Sequence, residues 1–258
     1  MIHTCKNCEH KFSGKYCNFC GQPPNTSRLT IHYVWHDLQS NFIYFEKGIL
    51  FTLRQLFTRP GYAIRDFING KRVQHIKPFS FLLLMAGIYG FLYHYLGINY
   101  ISLIGSNKSY AFLDTDKANN WLGENYAVAQ LIYLPIRSLV SWFVFKKFKY
   151  NYIEHLVLNA FLFGQRIFLG VLLFPVLSAF NGTPKIIIPI IIKSLIDIIV
   201  VVWAYGQIFN EEKKLNIVFK ILLTYLVFFL ISSILISLTV SFYDVVTGVL
   251  ETRSKIGH

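Results

Sequence analysis

Charge is what this chain lacks most. Asp, Glu, Lys and Arg make up 15% of its 258 residues, against about a quarter in soluble domains, so an ordinary soluble enzyme is excluded. Negative charge is scarcer still: 13 acidic residues face 25 basic ones, for a net +12. Cysteine is absent after residue 20. The sequence has no H-E-x-x-H, no G-x-S-x-G, no P-loop and no pair of aspartates within an apolar run, which removes the common signatures of metalloproteases, serine hydrolases and nucleotide-binding enzymes. No internal repeat of the kind that marks many transporters stands out. The first residues are polar, so no signal peptide is expected.

What is present is grease. Hydrophobic residues make up 54% and aromatics 17%, which excludes a disordered chain. Basic and apolar together point to a membrane protein with cationic cytoplasmic loops. Residues 1–78 carry 11 Lys/Arg and 4 Asp/Glu; residues 79–258 carry 14 and 9 and hold the long apolar runs.

All four cysteines lie in the first 20 residues as Cys5-x2-Cys8 and Cys17-x2-Cys20. Two such knuckles set four thiolates around one tetrahedral ion, and soft sulfur favours zinc, with iron the main alternative. Four protein ligands leave no open position, so the zinc is expected to be structural. A ribbon of about 20 residues has no core of its own, and metal binding supplies its folding energy. Gly21 after the second knuckle supplies a positive φ; the first knuckle has Glu9 and His10 instead.

Residues 1–22 therefore read as a zinc ribbon and 23–78 as a linker with amphipathic juxtamembrane helices. From Leu29 to Phe57 the apolar residues Ile31, Val34, Trp35, Leu38, Phe42, Phe45, Ile49, Leu53 and Leu56 recur mostly at helical spacing. That face suits either the headgroup region or the protein's own cytoplasmic surface. Arg59-Pro60-Gly61 ends the helix, and a second short one runs to Ile68 before Asn69-Gly70. The basic stretch Lys71, Arg72, Lys77 is placed to meet anionic lipid headgroups or to serve as a topology signal.

Five segments have the length and composition of spans: Phe79–Leu96, Tyr126–Phe145, Ile153–Ala179, Ile186–Phe209 and Ile217–Phe242. The expected fold is an all-α integral membrane bundle of about five spans over residues 79–250, with a tail at 251–258. Lys146, Lys147, Lys149, Lys213 and Lys214 alternate with less basic loops, which places the N-terminus in the cytoplasm and the C-terminus outside.

Ionisable residues inside spans are costly and mark function or pairing. Arg166 sits at the middle of the third expected span and Asp197 at the middle of the fourth, so the two can meet. Arg137 and Lys193 complete a midplane cluster of three cations and one anion, which is either a structural ion pair with neighbours or a site for a small anion or a lipid phosphate. Glu154 and His155 open the third span. They are candidates for acid–base catalysis, although adjacent helical positions point about 100° apart.

Together these residues carry a resemblance. Cys5-x2-Cys8…Cys17-x2-Cys20-Gly21-Gln22, Thr52-Leu53…Arg59-Pro60-Gly61, Gly70-Lys71-Arg72 with Pro78, Tyr152-x-Glu154-His155-Leu156-Val157 and Tyr205-Gly206-Gln207 resemble the Gram-negative bacterial membrane proteins filed as domain-of-unknown-function family 3667. The resemblance covers residues 5–207 in order. It implies a zinc ribbon on an inner-membrane bundle and assigns no activity. The expected role is non-enzymatic, the ribbon and basic juxtamembrane region binding a cytoplasmic protein partner or sensing the membrane. The alternative is transport or binding of an anion or lipid at the midplane cluster; an intramembrane enzyme using Glu154 and His155 ranks third. Membrane tethering and the lack of a base-reading helix argue against nucleic acid.

Overall fold

The structure, a computed structural model, describes residues 2–24, 26, 28–39, 48–98 and 115–256; of residues 36, 38, 39, 115–119, 122, 123 and 236–256 it describes the backbone alone. The side chain of Leu38, all of Phe42 and Phe45, and most of the loop 97–125 lie outside that description.

The ribbon opens with a two-stranded antiparallel sheet. β1 (His3–Thr4) pairs with β2 (Lys11–Phe12), His3 opposite Phe12 and Thr4 opposite Lys11. Its interior is Cys5, Phe12 and Cys17, far too little apolar area to hold a fold unaided.

Helices α1 (Ile31–Gln39), α2 (Ile49–Thr58) and α3 (Pro60–Ile68) follow. The stretch expected as one helix from Leu29 to Phe57 is therefore two described helices, α2 starting after Gly48. Pro60 ends α2 and starts α3, because its fixed φ and missing N–H suit a first helical position. Leu56, Ile64, Phe67 and Ile68 from α2 and α3 join the main apolar core, so this part of the juxtamembrane region packs on the protein's own bundle. Ile31 and Trp35 of α1 stay exposed.

The bundle is α4 (Pro78–Tyr95), α5 (Thr115–Val144), α6 (Tyr152–Phe180), α7 (Ile187–Ile208) and α8 (Lys214–Ile256). Every residue of α6 from Glu154 to Gln165 is buried; a helix apolar and buried all round is the centre of a bundle. α4, α5 and α7 pack on it, and α8 packs on α5 and α7. Gly164 is one reason α4 approaches so closely: the Phe81 ring lies 2.5 Å from where a Cβ would stand.

The outside is as apolar as the inside. Ile187, Ile188, Ile191, Leu195, Ile198 and Ile199 on α7 and Leu215, Phe219, Leu222, Leu226, Phe229 and Leu230 on α8 are all exposed. A water-facing surface does not carry contiguous patches of this extent, whereas lipid solvates them. Among the described residues four helices are long and apolar enough to cross a membrane: Glu124–Val144, Tyr152–Phe180, Pro184–Ile208 and Lys214–Leu235. The expected first span is the exception. α4 has 18 residues, about 27 Å at 1.5 Å per residue, against a hydrocarbon core of about 30 Å, and it ends in Tyr93, His94 and Tyr95. Asn125 interrupts α5 with non-helical dihedrals just where its apolar part begins.

Long-range contacts tie the juxtamembrane region to the bundle. Asp37 of α1 is buried and caps α4, accepting from Phe79 N at 3.2 Å and Ser80 Oγ at 2.9 Å. A carboxylate suits the positive end of a helix. Burial nonetheless holds its acidity weaker than that of a free aspartate. Gln165 of α6 donates to the Leu56 carbonyl at 2.8 Å.

Candidate metal centre and candidate midplane site

The ribbon's two knuckles have the same backbone geometry. Cys5 N donates to His10 O and Glu9 N to Cys5 O; Cys17 N donates to Gln22 O and Gly21 N to Cys17 O. Each knuckle therefore needs a positive φ at the residue after its second cysteine. Gly21 supplies it at 76°, and Glu9 adopts it at 61°. The missing glycine of the first knuckle does not change the turn; it adds the strain of a left-handed non-glycine residue. All four cysteines are free thiols, and their four Sγ atoms lie within 4.8 Å of one another. Cys5 and Cys20 are 3.5 Å apart, Cys8 and Cys17 3.6 Å. A tetrahedron with metal–sulfur bonds of about 2.3 Å has edges of about 3.8 Å, so the four thiols fit one ion. His3 and His10 stand outside this set, their rings against Phe12 and Phe19.

The ribbon is docked, not dangling. Lys6 Nζ donates to Thr26 O at 2.8 Å, and Gln22 Oε1 accepts from Arg72 N at 3.2 Å. Gly70, at φ 107°, leaves room for Lys6 and Thr26. Next to this seam Arg28 grips Glu154 with two hydrogen bonds, 2.9 and 3.0 Å, and the Lys149 carbonyl with a third.

Glu154 and His155 do not act together. Glu154 completes a capping box with Asn151 at the start of α6 and pairs with Arg28. His155 points elsewhere and is fully buried. Its Nδ1 is 3.0 Å from Ser141 Oγ, which also accepts from Asn159 Nδ2, while Nε2 has no hydrogen-bond partner among the described residues. The Phe209 ring stacks 6.4 Å away. A serine beside an imidazole has the chemistry of a nucleophile and base, but no substrate reaches a pair sealed this completely.

The three basic residues placed for headgroups have different surroundings. Lys71 is exposed and pairs with Asp66 at 3.3 Å. Arg72 lies over Tyr33 and Phe67, 5.4 and 5.6 Å to the ring centres, and donates Nε to the Phe67 carbonyl. Lys77 precedes α4 and is part-exposed.

The midplane cluster comes together. Asp197 Oδ2 is 3.1 Å from Arg166 Nη2 and 2.7 Å from Lys193 Nζ. Arg166 lies 14 residues into α6, about 21 Å along a helix of about 44 Å, so the pair stands at the middle of that helix. Lys193 and Asp197 share a face at i,i+4, and Gly170 opens space for the Lys193 stem, whose Cε lies 3.0 Å from where a Cβ would stand. Arg137 enters from α5 and has no carboxylate partner among the described residues. Its guanidinium rests on three rings, Tyr225 at 4.4 Å, Phe163 at 4.8 Å and Phe228 at 5.9 Å, an attraction worth up to about 2 kcal/mol per ring when desolvated.

These four charged residues line one cavity of about 370 Å³ between α5, α6, α7 and α8. Tyr126, Gln130, Tyr133, Ile167 and Ser232 complete its wall with Phe163 and Phe228. Sequence reasoning missed the polar members, although the signal is present: Gln130, Tyr133 and Arg137 fall at i, i+3 and i+7 of α5, and Phe228 and Ser232 at i,i+4 of α8.

Set against known families, the chain matches over residues 46–90 the model of a family described as protein of unknown function (DUF3667), the family its motifs resemble. The matched segment runs from the start of the described α2 region through α3 into α4 and does not include the ribbon or the midplane residues. No curated protein and no solved structure matches the chain.

Proposed function

We propose that the bundle binds a small anionic group at mid-membrane depth, for transport or as a bound ligand, and that the ribbon is a structural zinc site seated on the bundle's cytoplasmic end. One observation carries the first part. The charged residues both pair and line a cavity, and three cations there face one carboxylate. One balanced pair on its own could be purely structural. An excess of about two positive charges in a polar cavity, with Arg137 left to aromatic rings, is instead the electrostatics of an anion site. A cavity of this size is at the small end of ligand pockets. The ribbon's docking on its own chain lends less support to a partner-binding role, because the seam is taken by Thr26, Gly70 and Arg72.

Zinc is assigned from four soft thiolates in tetrahedral proximity. The inner membrane of a bacterium, with the N-terminus in the cytoplasm, follows from the resemblance, from thiols kept reduced, and from Lys146, Lys147, Lys149, Lys213 and Lys214 at the ribbon end of the bundle. On this reading α4 crosses as the shortest of five spans, accommodated by local thinning of the bilayer.

The test is thermal unfolding of the purified protein with inorganic phosphate or sulfate. At an anion concentration of about 100 Kd, binding adds about 2.7 kcal/mol, a rise of about 5–10 °C for a chain of this length. Arg137→Gln is expected to cut that rise, measured against the variant's own Tm without anion. No rise with any anion defeats the proposal.

A further inference from the structure

Helix α1 is turned the wrong way for water. It buries the carboxylate of Asp37 and packs Tyr33 and Val34 against the core. Ile31 and Trp35, one turn apart on the opposite side, are 69% and 64% exposed. A helix solvated by water points its charge outward and its apolar stripe inward; α1 does the reverse. Scattered exposed apolar side chains are ordinary, so the position of this pair decides its meaning. Asp37 fixes that position. Its carboxylate holds the first turn of α4 through Phe79 N and Ser80 Oγ. Ser80 is the ribbon-side end of one face of α4, where Ser80, Leu84, Ile88, Phe91 and Tyr95 recur at helical spacing. Ile88, Phe91 and Tyr95 on that face are exposed. With α4 as a span, the face looks into lipid, and α1 is fastened at its foot, where hydrocarbon gives way to headgroups. Trp35 stands two residues from Asp37, about 3 Å of helix rise, so α1 cannot carry it away from that level. Lys77, close enough to Asp37 to act on its charge, brings a cation to the same level.

We infer that α1 is an interfacial anchor, with Ile31 and Trp35 entering the phospholipid leaflet on the ribbon side at the boundary of headgroups and acyl chains. The inference rests on the reading of α4 as a span and is independent of the anion cavity. The tryptophan ring, apolar with one polar edge, is suited to this depth. A helix with one apolar side lies there with that side about 5–10 Å into the boundary. Residues 23–30 alone join the ribbon to α1, so the anchor also holds the ribbon against the membrane surface.

The experiment is fluorescence quenching of the full-length protein in nanodiscs of phosphatidylcholine brominated either near the headgroup end or near the far end of its acyl chains. Trp121→Phe, Trp142→Phe and Trp203→Phe leave Trp35 as the single tryptophan. Its emission is expected to be quenched by lipid bromines, more by the shallow set, and to be little affected by acrylamide in the water. Where that triple variant fails to fold, the difference in quenching between the wild type and Trp35→Phe gives the same reading. Phe91→Trp, with all four native tryptophans replaced by Phe, reports on the α4 face and is expected to be quenched by lipid. Quenching at position 91 alone, with Trp35 open to acrylamide, means that water covers α1; it overturns the anchor and leaves the span standing. A Trp35 shielded from lipid and acrylamide alike is covered by a second copy or another protein, which overturns the anchor equally. Lipid quenching at neither position overturns the anchor and the span together.

Discussion

Gly61 offers a test of the packing that can be worked out atom by atom. It lies in the first turn of α3, where that helix crosses α7, and its N–H donates to Gln207 Oε1 at 2.9 Å. A methyl group there would overlap the Ala204 carbonyl oxygen and stand 2.5 Å from Gln207 Cβ and 2.9 Å from Ile208 N. Two of the three obstacles are backbone of a buried helix, so the chain cannot relieve the overlap by turning a side chain. Overpacking of this kind costs about 1–3 kcal/mol, and parting α3 from α7 loses the Gln207 hydrogen bond as well, about 1 kcal/mol. Gly61→Ala is therefore expected to lower stability by about 2–4 kcal/mol. Gly87 is the control. It sits in α4 facing outward with nothing within 4 Å of its added Cβ, so Gly87→Ala gains helix propensity, about 0.5–1 kcal/mol. Thermal unfolding in detergent, followed by retention of the monodisperse peak, reads both. At about 2–4 °C per kcal/mol for this length, the two variants move Tm in opposite directions. A neutral Gly61→Ala, or equal shifts at both sites, would refute the α3–α7 crossing.

Three further outcomes are expected. Asp197→Ala leaves the part-buried Arg166 and Lys193 without their counter-ion and costs up to about 3 kcal/mol, whereas replacing Asp197, Arg166 and Lys193 together by leucine costs less; equal losses in unfolding assays would remove the pairing. Burial pushes the His75 imidazole from 6.5 down to about 4, so the unfolded chain binds its proton first and stability falls as pH drops from about 6.5 to 4, by at most about 3 kcal/mol; His75→Phe is expected to flatten that slope in a pH series of melting curves. Hydrogen bonds from Asn216, Lys220 and Lys147 hold Glu212 at about 2, which adds a second loss only below about pH 4.5. Chelation or Cys17→Ser is expected to make residues 2–22 protease-sensitive while the bundle stays folded, and a ribbon equally resistant without metal would count against a metal-held fold.

The parts of this molecule that sequence reveals are the ones with local signals. Cysteine spacing marks the ribbon, apolar length marks the spans, and Pro60 and Gly70 mark helix limits. Arg166 and Asp197 occupy matching depths in consecutive helices, a relation that counting along the spans exposes. Local signals fail where the determinant is distant. Arg28 holds Glu154 across 126 positions and Asp37 caps α4 across 42, and neither residue sits in a pattern that names its partner. Five spans were expected where four described helices meet the length and polarity of a crossing, because tyrosine and histidine at the end of α4 blur its boundary. Adjacent Glu154 and His155 are both candidates in the sequence, pointing about 100° apart; the fold sends one to the ribbon seam and the other into the core. Two motifs far apart in sequence, Arg59-Pro60-Gly61 and Tyr205-Gly206-Gln207, meet at the α3–α7 crossing, so packing accounts for both.

The proposed anion site is a polar cavity at mid-membrane depth ruled by positive charge. Gln130 lines it and is part-exposed, and every native cysteine lies in the ribbon, so Gln130→Cys places a thiol reporter in the cavity wall. The direct measurement is the rate of its modification by anionic and by cationic methanethiosulfonate reagents of similar size, with the unsubstituted protein as background. The account requires modification at this depth, faster for the anionic reagent and slowed by inorganic phosphate. A thiol that neither reagent reaches, or one that the cationic reagent modifies faster, would contradict it.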